Sequence, residues 1–138
     1  MSTPAPALPN KESLLRIQKL RRVLTEHEID AMLLCANPNL FYLTGVIFDG
    51  YFYLPREGDC YAFIRRPREL SLPGVEALPI GKPEQIPALL SERGINPPAR
   101  LLLDEDDISG GEYLRLSRLF PHAQLVHRLA ASRLARRI

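Results

Sequence analysis

The sequence is poor in the groups on which most catalytic and metal sites depend. It carries three histidines and two cysteines in 138 residues. Neither Cys35 nor Cys60 has a second Cys or a His at metal-ligand spacing, so both read as reduced core thiols rather than a disulfide or a zinc site. His27, His122 and His127 have no Ser or Cys nucleophile beside them, which leaves a catalytic triad unsupported. No apolar run approaches the ~20 residues of a membrane span. The N-terminus lacks the charged-then-apolar order of a signal peptide, so a cytoplasmic setting with no membrane partner is expected. Neither Gly-x-Gly-x-x-Gly nor a Walker pattern is present, and the carboxylates just upstream of Gly110-Gly111 would repel a phosphate.

An excess of either charge is also lacking. The net charge is +2, too small to imply nucleic acid unless segregated. It is partly segregated: from Tyr113 onward stand Arg115, Arg118, Arg128, Arg133, Arg136 and Arg137 and no acid, directly after Asp104, Glu105, Asp106, Asp107 and Glu112. The aromatic residues that single-strand binding would want are thin there, so both clusters read as solvated surfaces and no nucleic-acid partner is expected. The acidic run is contiguous and has no His nearby. Turn and capping chemistry account for it without a metal.

What is present is an ordinary globular composition, 46% hydrophobic and 25% charged. One domain of this length buries roughly two-thirds of its unfolded surface. The organising stretch is 29–45. Residues 31–36 are six apolar residues without polar alternation, the mark of a strand buried on both faces. Asn37-Pro38 then reads as N-cap and first helical residue, and Gly45 as a left-handed C-cap closing a short helix.

Around this unit the chain alternates. Residues 1–9, with three prolines, read as a disordered lead. A helix over 11–28 has Leu14, Ile17, Leu20 and Leu24 as its apolar stripe, with Arg16, Lys19 and Arg22 facing water. Strands at 46–54 and 60–64 flank a Pro-Arg-Glu-Gly-Asp turn as an antiparallel hairpin. A weak strand at 75–80, a helix at 83–93 and a strand at 100–104 follow. Ser109 and Glu112 form a capping box opening a helix to about residue 120, and a last strand spans 124–129. The expected fold is α/β: a three-layer sandwich whose mixed sheet of about six strands is flanked by helices.

The helix followed by Ile29-Asp30-Ala31, the buried strand, the Asn37-Pro38 turn and Tyr42-Leu43-Thr44-Gly45 resembles the N-terminal domain of the creatinase/prolidase/aminopeptidase P metallopeptidase family. The strong part covers about 35 residues, 14–53. The resemblance implies a ribonuclease H-like motif, with Asp30, Asn37, Pro38, Tyr42, Leu43, Thr44 and Gly45 as structural signature positions. It further implies a non-catalytic domain over 10–129 that serves subunit assembly and shapes the active-site mouth of a partner subunit. Residues 130–138 resemble the start of a linker helix to a C-terminal catalytic domain absent from this chain.

That catalytic domain would be the partner of this one, within a homodimer, and would hold two divalent ions (manganese, cobalt or zinc). No cofactor or metal is expected in this chain, which lacks the Asp, Asp, His, Glu, Glu set. In the family the segment after the signature reaches a neighbouring active site. Counting onward from Gly45 puts Asp49 on an acid position, with Tyr51 and Tyr53 where a His or Arg would stand. These three are the expected substrate contacts in trans. The alternatives are a free-standing α/β module for a small molecule or nucleotide, and a pure interaction domain.

Overall fold

The apolar run after Asp30 forms the inner strand of the sheet. In the computed structural model, which describes residues 10–127, β1 is Ala31–Leu34 with every residue buried. Met32 and Leu34 enter one core while Ala31 and Leu33 enter another, which is why the run has no polar alternation. β1 pairs antiparallel with β2 (Asp49–Pro55) on one side. On the other it pairs parallel with β5 (Arg100–Leu103). β3 (Tyr61–Arg66) returns antiparallel to β2 as the hairpin requires. β4 (Glu76–Pro79) and β6 (Gln124–Val126) lie parallel at the two edges. The order β4-β3-β2-β1-β5-β6 is the mixed six-stranded sheet expected.

Helices cover both faces. α1 (Asn10–Glu26) and α2 (Asn37–Thr44) pack through Ile17, Leu20, Leu24, Leu40 and Leu43 onto one. α3 (Ile86–Glu92) and α4 (Gly110–Ser117) pack through Ile86, Leu90 and Leu116 onto the other. The expected helix at 83–93 therefore divides into a 3-10 turn at Pro83–Gln85 and α3. Leu14 does not join the stripe of α1: it is 52% exposed and lines a small apolar pocket with Ile17, Leu43 and Leu72. Arg16 does not simply face water. Its guanidinium lies 4.4 Å from the Tyr42 ring centroid and donates to the Tyr42 carbonyl at 2.7 Å.

Two capping expectations change. The N-cap of α2 is Ala36, and Asn37 is already helical, with Pro38 in the first turn. Asp104 supplies the cap from across the β1–β5 pair, accepting the Cys35 and Ala36 N–H groups at 3.0 and 2.8 Å. At α4, Ser109 Oγ accepts the Glu112 N–H at 3.1 Å, but the reciprocal half of the box is missing because the Glu112 carboxylate takes the Tyr51 hydroxyl instead. Gly45 does close α2, at φ 77°, its N–H donating to Phe41. The expected lead at 1–9 and linker at 130–138 lie outside the described residues, as does the end of the strand expected to reach 129.

Asp30 shows why the signature begins with an acid. One carboxylate oxygen accepts the N–H groups of Ala99 and Arg100 at 2.8 and 2.9 Å, and the other accepts Arg56 at 2.8 Å. The side chain thus ties the entry of β1 to the entry of β5 and the exit of β2. Burial pushes its pKa up, yet those donors outweigh burial and hold the carboxyl below the usual range.

Candidate functional site

In an open α/β sheet the crevice beyond the carboxyl ends of the strands, where strand direction changes sides, is the natural binding position. Here that crevice is a cleft of about 290 Å³. The residues following β1 (Cys35 to Asn37) form one wall and those following β5 (Asp107 to Glu112) another. Because β2 runs antiparallel, its first residues, Asp49, Gly50 and Tyr51, arrive at the same end.

A β-bulge completes the lining. The β2–β3 register steps from Asp49 opposite Arg66 to Gly50 opposite Ile64, leaving Arg65 as the additional residue, and Arg65 lines the cleft. Gly50 makes this close approach possible: a Cβ there would lie 2.2 Å from the Phe63 carbonyl oxygen. Asp49 accepts Arg66 at 3.1 Å and stands 3.9 Å from Arg65. Tyr51 donates its hydroxyl to Glu112 at 3.0 Å. Burial, and then that carboxylate, push the Tyr51 phenol far above its ordinary value, so it remains a donor.

Behind the cleft lies a buried polar knot. Asp104 is 1% exposed, and the oxygen that caps α2 also accepts Asn39 Nδ2 at 3.1 Å. Asn39 Nδ2 donates as well to Asp107 at 3.3 Å. Burial pushes the Asp104 carboxyl up, and its three donors offset this only in part. The other Asp104 oxygen and Asn39 Oδ1 are buried without a hydrogen-bond partner. Cys35, half-buried at the rim, is raised chiefly by burial and then by Asp104 and Glu112, so it is a thiol and not a nucleophile.

The lining is mainly acidic and hydrogen-bonding. Three carboxylates, Asp49, Asp107 and Glu112, face one guanidinium, that of Arg65, with no nucleophile–base pair. Such a lining suits a cationic or hydrogen-bond-donating group and repels phosphate. Among the described residues no group of three or more His, Cys, Asp or Glu converges as metal ligands would. Among them, too, no helix is long and apolar enough to cross a membrane.

Of the three residues expected to contact substrate, Asp49 and Tyr51 share the cleft. Tyr53 is 2% exposed, enclosed in the core beneath α3 and α4, and is not part of the lining. The signature positions Asp30 and Gly45 act as ties and caps, and Thr44 bonds back to the Leu40 carbonyl at 2.7 Å. Sequence reasoning missed Gly50, Arg65 and the Tyr51–Glu112 pair. A glycine inside a strand pattern was the one available signal of a bulge.

The chain matches the family described as Creatinase/Prolidase N-terminal domain over residues 16–137. Its fold is similar to that of an Xaa-Pro aminopeptidase from Streptococcus pyogenes, with 17% identity and a TM-score of 0.75 over 93% of this chain and 100% of that one. It is also similar to the N-terminal domain of the cytoplasmic peptidase PepQ from Mycobacterium tuberculosis H37Rv, with 17% identity and a TM-score of 0.73 over 88% and 98% of the two chains. The prolidase from Pyrococcus horikoshii OT3 gives 17% identity and a TM-score of 0.68 over 88% of this chain but 35% of that one, so this chain spans about a third of that prolidase. At these identities the likeness is one of fold. No curated protein matches.

Proposed function

We propose, from the premise that the chain belongs to the creatinase/prolidase N-terminal domain family, that it is the non-catalytic domain of an Xaa-Pro peptidase. In this reading it assists subunit assembly and forms part of the active-site mouth of a partner subunit. The observation that carries the reading is the family match over 16–137 together with a cleft that contains carboxylates but no catalytic pair. The described residues do not fit a dimetal centre. The proposal accordingly places the two divalent ions in a catalytic domain supplied elsewhere, and gives this chain no step in metal chemistry.

Asp49 is the residue proposed to reach substrate. It sits at the cleft mouth with its side chain 43% exposed, steadied by Arg66. A carboxylate so placed can hold the free amine of a peptide, a charge-assisted hydrogen bond. Tyr51 faces the same cleft but its hydroxyl is committed to Glu112, so its proposed role is to orient that wall. A homodimer in the cytoplasm belongs to the same proposal. Steady-state kinetics of the full-length protein on a panel of Xaa-Pro peptides test it. Asp49→Ala should raise KM or lower kcat, with the melting temperature nearly unchanged. Wild-type kinetics in that variant would remove Asp49 from the site, and a parent without a metallopeptidase half would remove the reading altogether.

A further inference from the structure

The cap of α2 employs only half of the Asp104 carboxyl. The Cys35 and Ala36 N–H groups and Asn39 Nδ2 all donate to one oxygen, Oδ2. The second oxygen, Oδ1, is buried without a hydrogen-bond partner, and so is Asn39 Oδ1. The Asn39 amide has its orientation fixed by its neighbours. Its nitrogen stands 3.1 Å from Asp104 Oδ2 and 3.3 Å from Asp107 Oδ2, and turning it over would set its oxygen against two carboxylate oxygens. Each orphan oxygen therefore belongs to a planar group whose other polar atom makes the 3.1 Å contact. An ionised Asp104 leaves two buried acceptors and no hydrogen for either. A protonated Asp104 supplies one.

The surroundings favour the neutral acid as well. Burial acts on Asp104 more strongly than its donors do. The titratable and charged groups in front of it are those of the cleft: Cys35 after β1, Asp49 and Tyr51 of β2, Arg65 of β3, Asp107 and Glu112. Carboxylates outnumber the one guanidinium in that lining. The remaining acids of the turn are Glu105, which meets His127, and Asp106. No residue of α2 carries a formal charge.

We propose that Asp104 retains a proton on Oδ1 in the folded protein and donates it to Asn39 Oδ1, closing a cyclic acid–amide pair whose other half is the contact from Asn39 Nδ2 to Asp104 Oδ2. The pair is a proton-dependent latch. It joins α2 to the turn after β5, and the same Asn39 nitrogen holds Asp107, which lines the cleft. Loss of the proton to bulk water breaks one of the two bonds and leaves a charge in a buried position. Any opening that admits water restores the ordinary acidity of Asp104. Opening of this wall therefore becomes easier as the pH rises from the ordinary aspartate value to the folded one. The inference does not rest on the peptidase reading, because it concerns only groups within this chain.

Carbon-13 NMR of the full 138-residue chain, titrated from pH about 4 to about 8, tests it without any substitution. At pH about 5, roughly one unit above an ordinary aspartate, the Asp104 Cγ resonance should still be that of a carboxylic acid. Asp30, held low by its donors, should already be ionised and serves as the internal reference. Asn39 Cγ should shift with the same midpoint as Asp104, because its carbonyl loses its donor there. Exchange of the Cys35 and Ala36 amides should quicken from pH about 4 to about 7 by at least about threefold more than base catalysis accounts for. In Asp104→Asn, whose amide mimics the neutral acid, that excess should vanish. An Asp104 ionised at pH about 5, as a carboxylate served by an internal water would be, would overturn the proposal. So would an Asp104 that titrates without Asn39, and an excess that persists in Asp104→Asn.

Discussion

The two faces of the sheet are filled with different chemistry, although the same strands supply both. Towards α1 and α2, β2 presents Phe52 and Leu54, packed with Met32, Leu34 and Ile64. Towards α3 and α4 it presents Tyr51 and Tyr53, joined by Tyr61, Phe63 and Phe120. A phenol ring fills a core as phenylalanine does, but its hydroxyl needs a polar neighbour. For Tyr51 that neighbour is Glu112 on α4, at the cleft. The first face is thus a packing surface, and the second combines packing with the polar wall of the candidate site. The candidate site lies where the core is least hydrocarbon-like.

That contrast can be broken by substitution, and the largest effect belongs to the hydrocarbon face. Phe52 is fully buried, so Phe52→Ala should cost about 3–5 kcal/mol in urea unfolding. A loss under about 2 kcal/mol would mean that this face repacks readily and that the two faces differ less than their side chains suggest.

The next effect concerns the knot behind the cleft. Asp104→Ala leaves the Cys35 and Ala36 N–H groups and Asn39 Nδ2 without their acceptor, and should cost about 2–4 kcal/mol. Asp104→Asn keeps an acceptor and offers an amide where a buried carboxylate oxygen has no partner. It should cost under about 1 kcal/mol. The pH dependence separates the two further. Burial raises the folded Asp104 value, so the folded state holds the proton more tightly than the unfolded state. The stability linked to that proton is fully present below the unfolded value of about 3.9, and is lost as pH rises through the folded one. Wild type should therefore gain on Asp104→Asn as the pH is lowered from about 7 to about 4. A constant difference across paired denaturation curves would show that Asp104 does not titrate in that window.

The smallest effect tests the tyrosine face itself. Tyr51→Phe removes one hydrogen bond to a half-buried carboxylate and leaves the ring packing in place. It should cost about 0.5–1.5 kcal/mol. A cost equal to that of Phe52→Ala would erase the contrast between the faces, and no cost at all would detach the hydroxyl from the cleft wall.

The sequence alone determined the elements whose signals are local. The continuous apolar run specified β1 as a strand buried on both faces. Asn37-Pro38 and Gly45 bracketed α2 to within a residue, because proline and a left-handed glycine act through their own backbone angles. The family signature was likewise legible as a short string. Tertiary structure alone decided the contacts between distant parts of the chain. Asp104 caps a helix 68 residues earlier, and Asp30 bridges to backbone 69 and 70 residues later. Gly50 is required by a carbonyl on β3, Leu14 lies outside the core its spacing assigned it to, and Tyr53 is enclosed while Asp49 is not. The physical reason is that periodicity reports which side of an element is apolar. What that side meets follows from strand order and register, and those exist only once β5 has been laid beside β1.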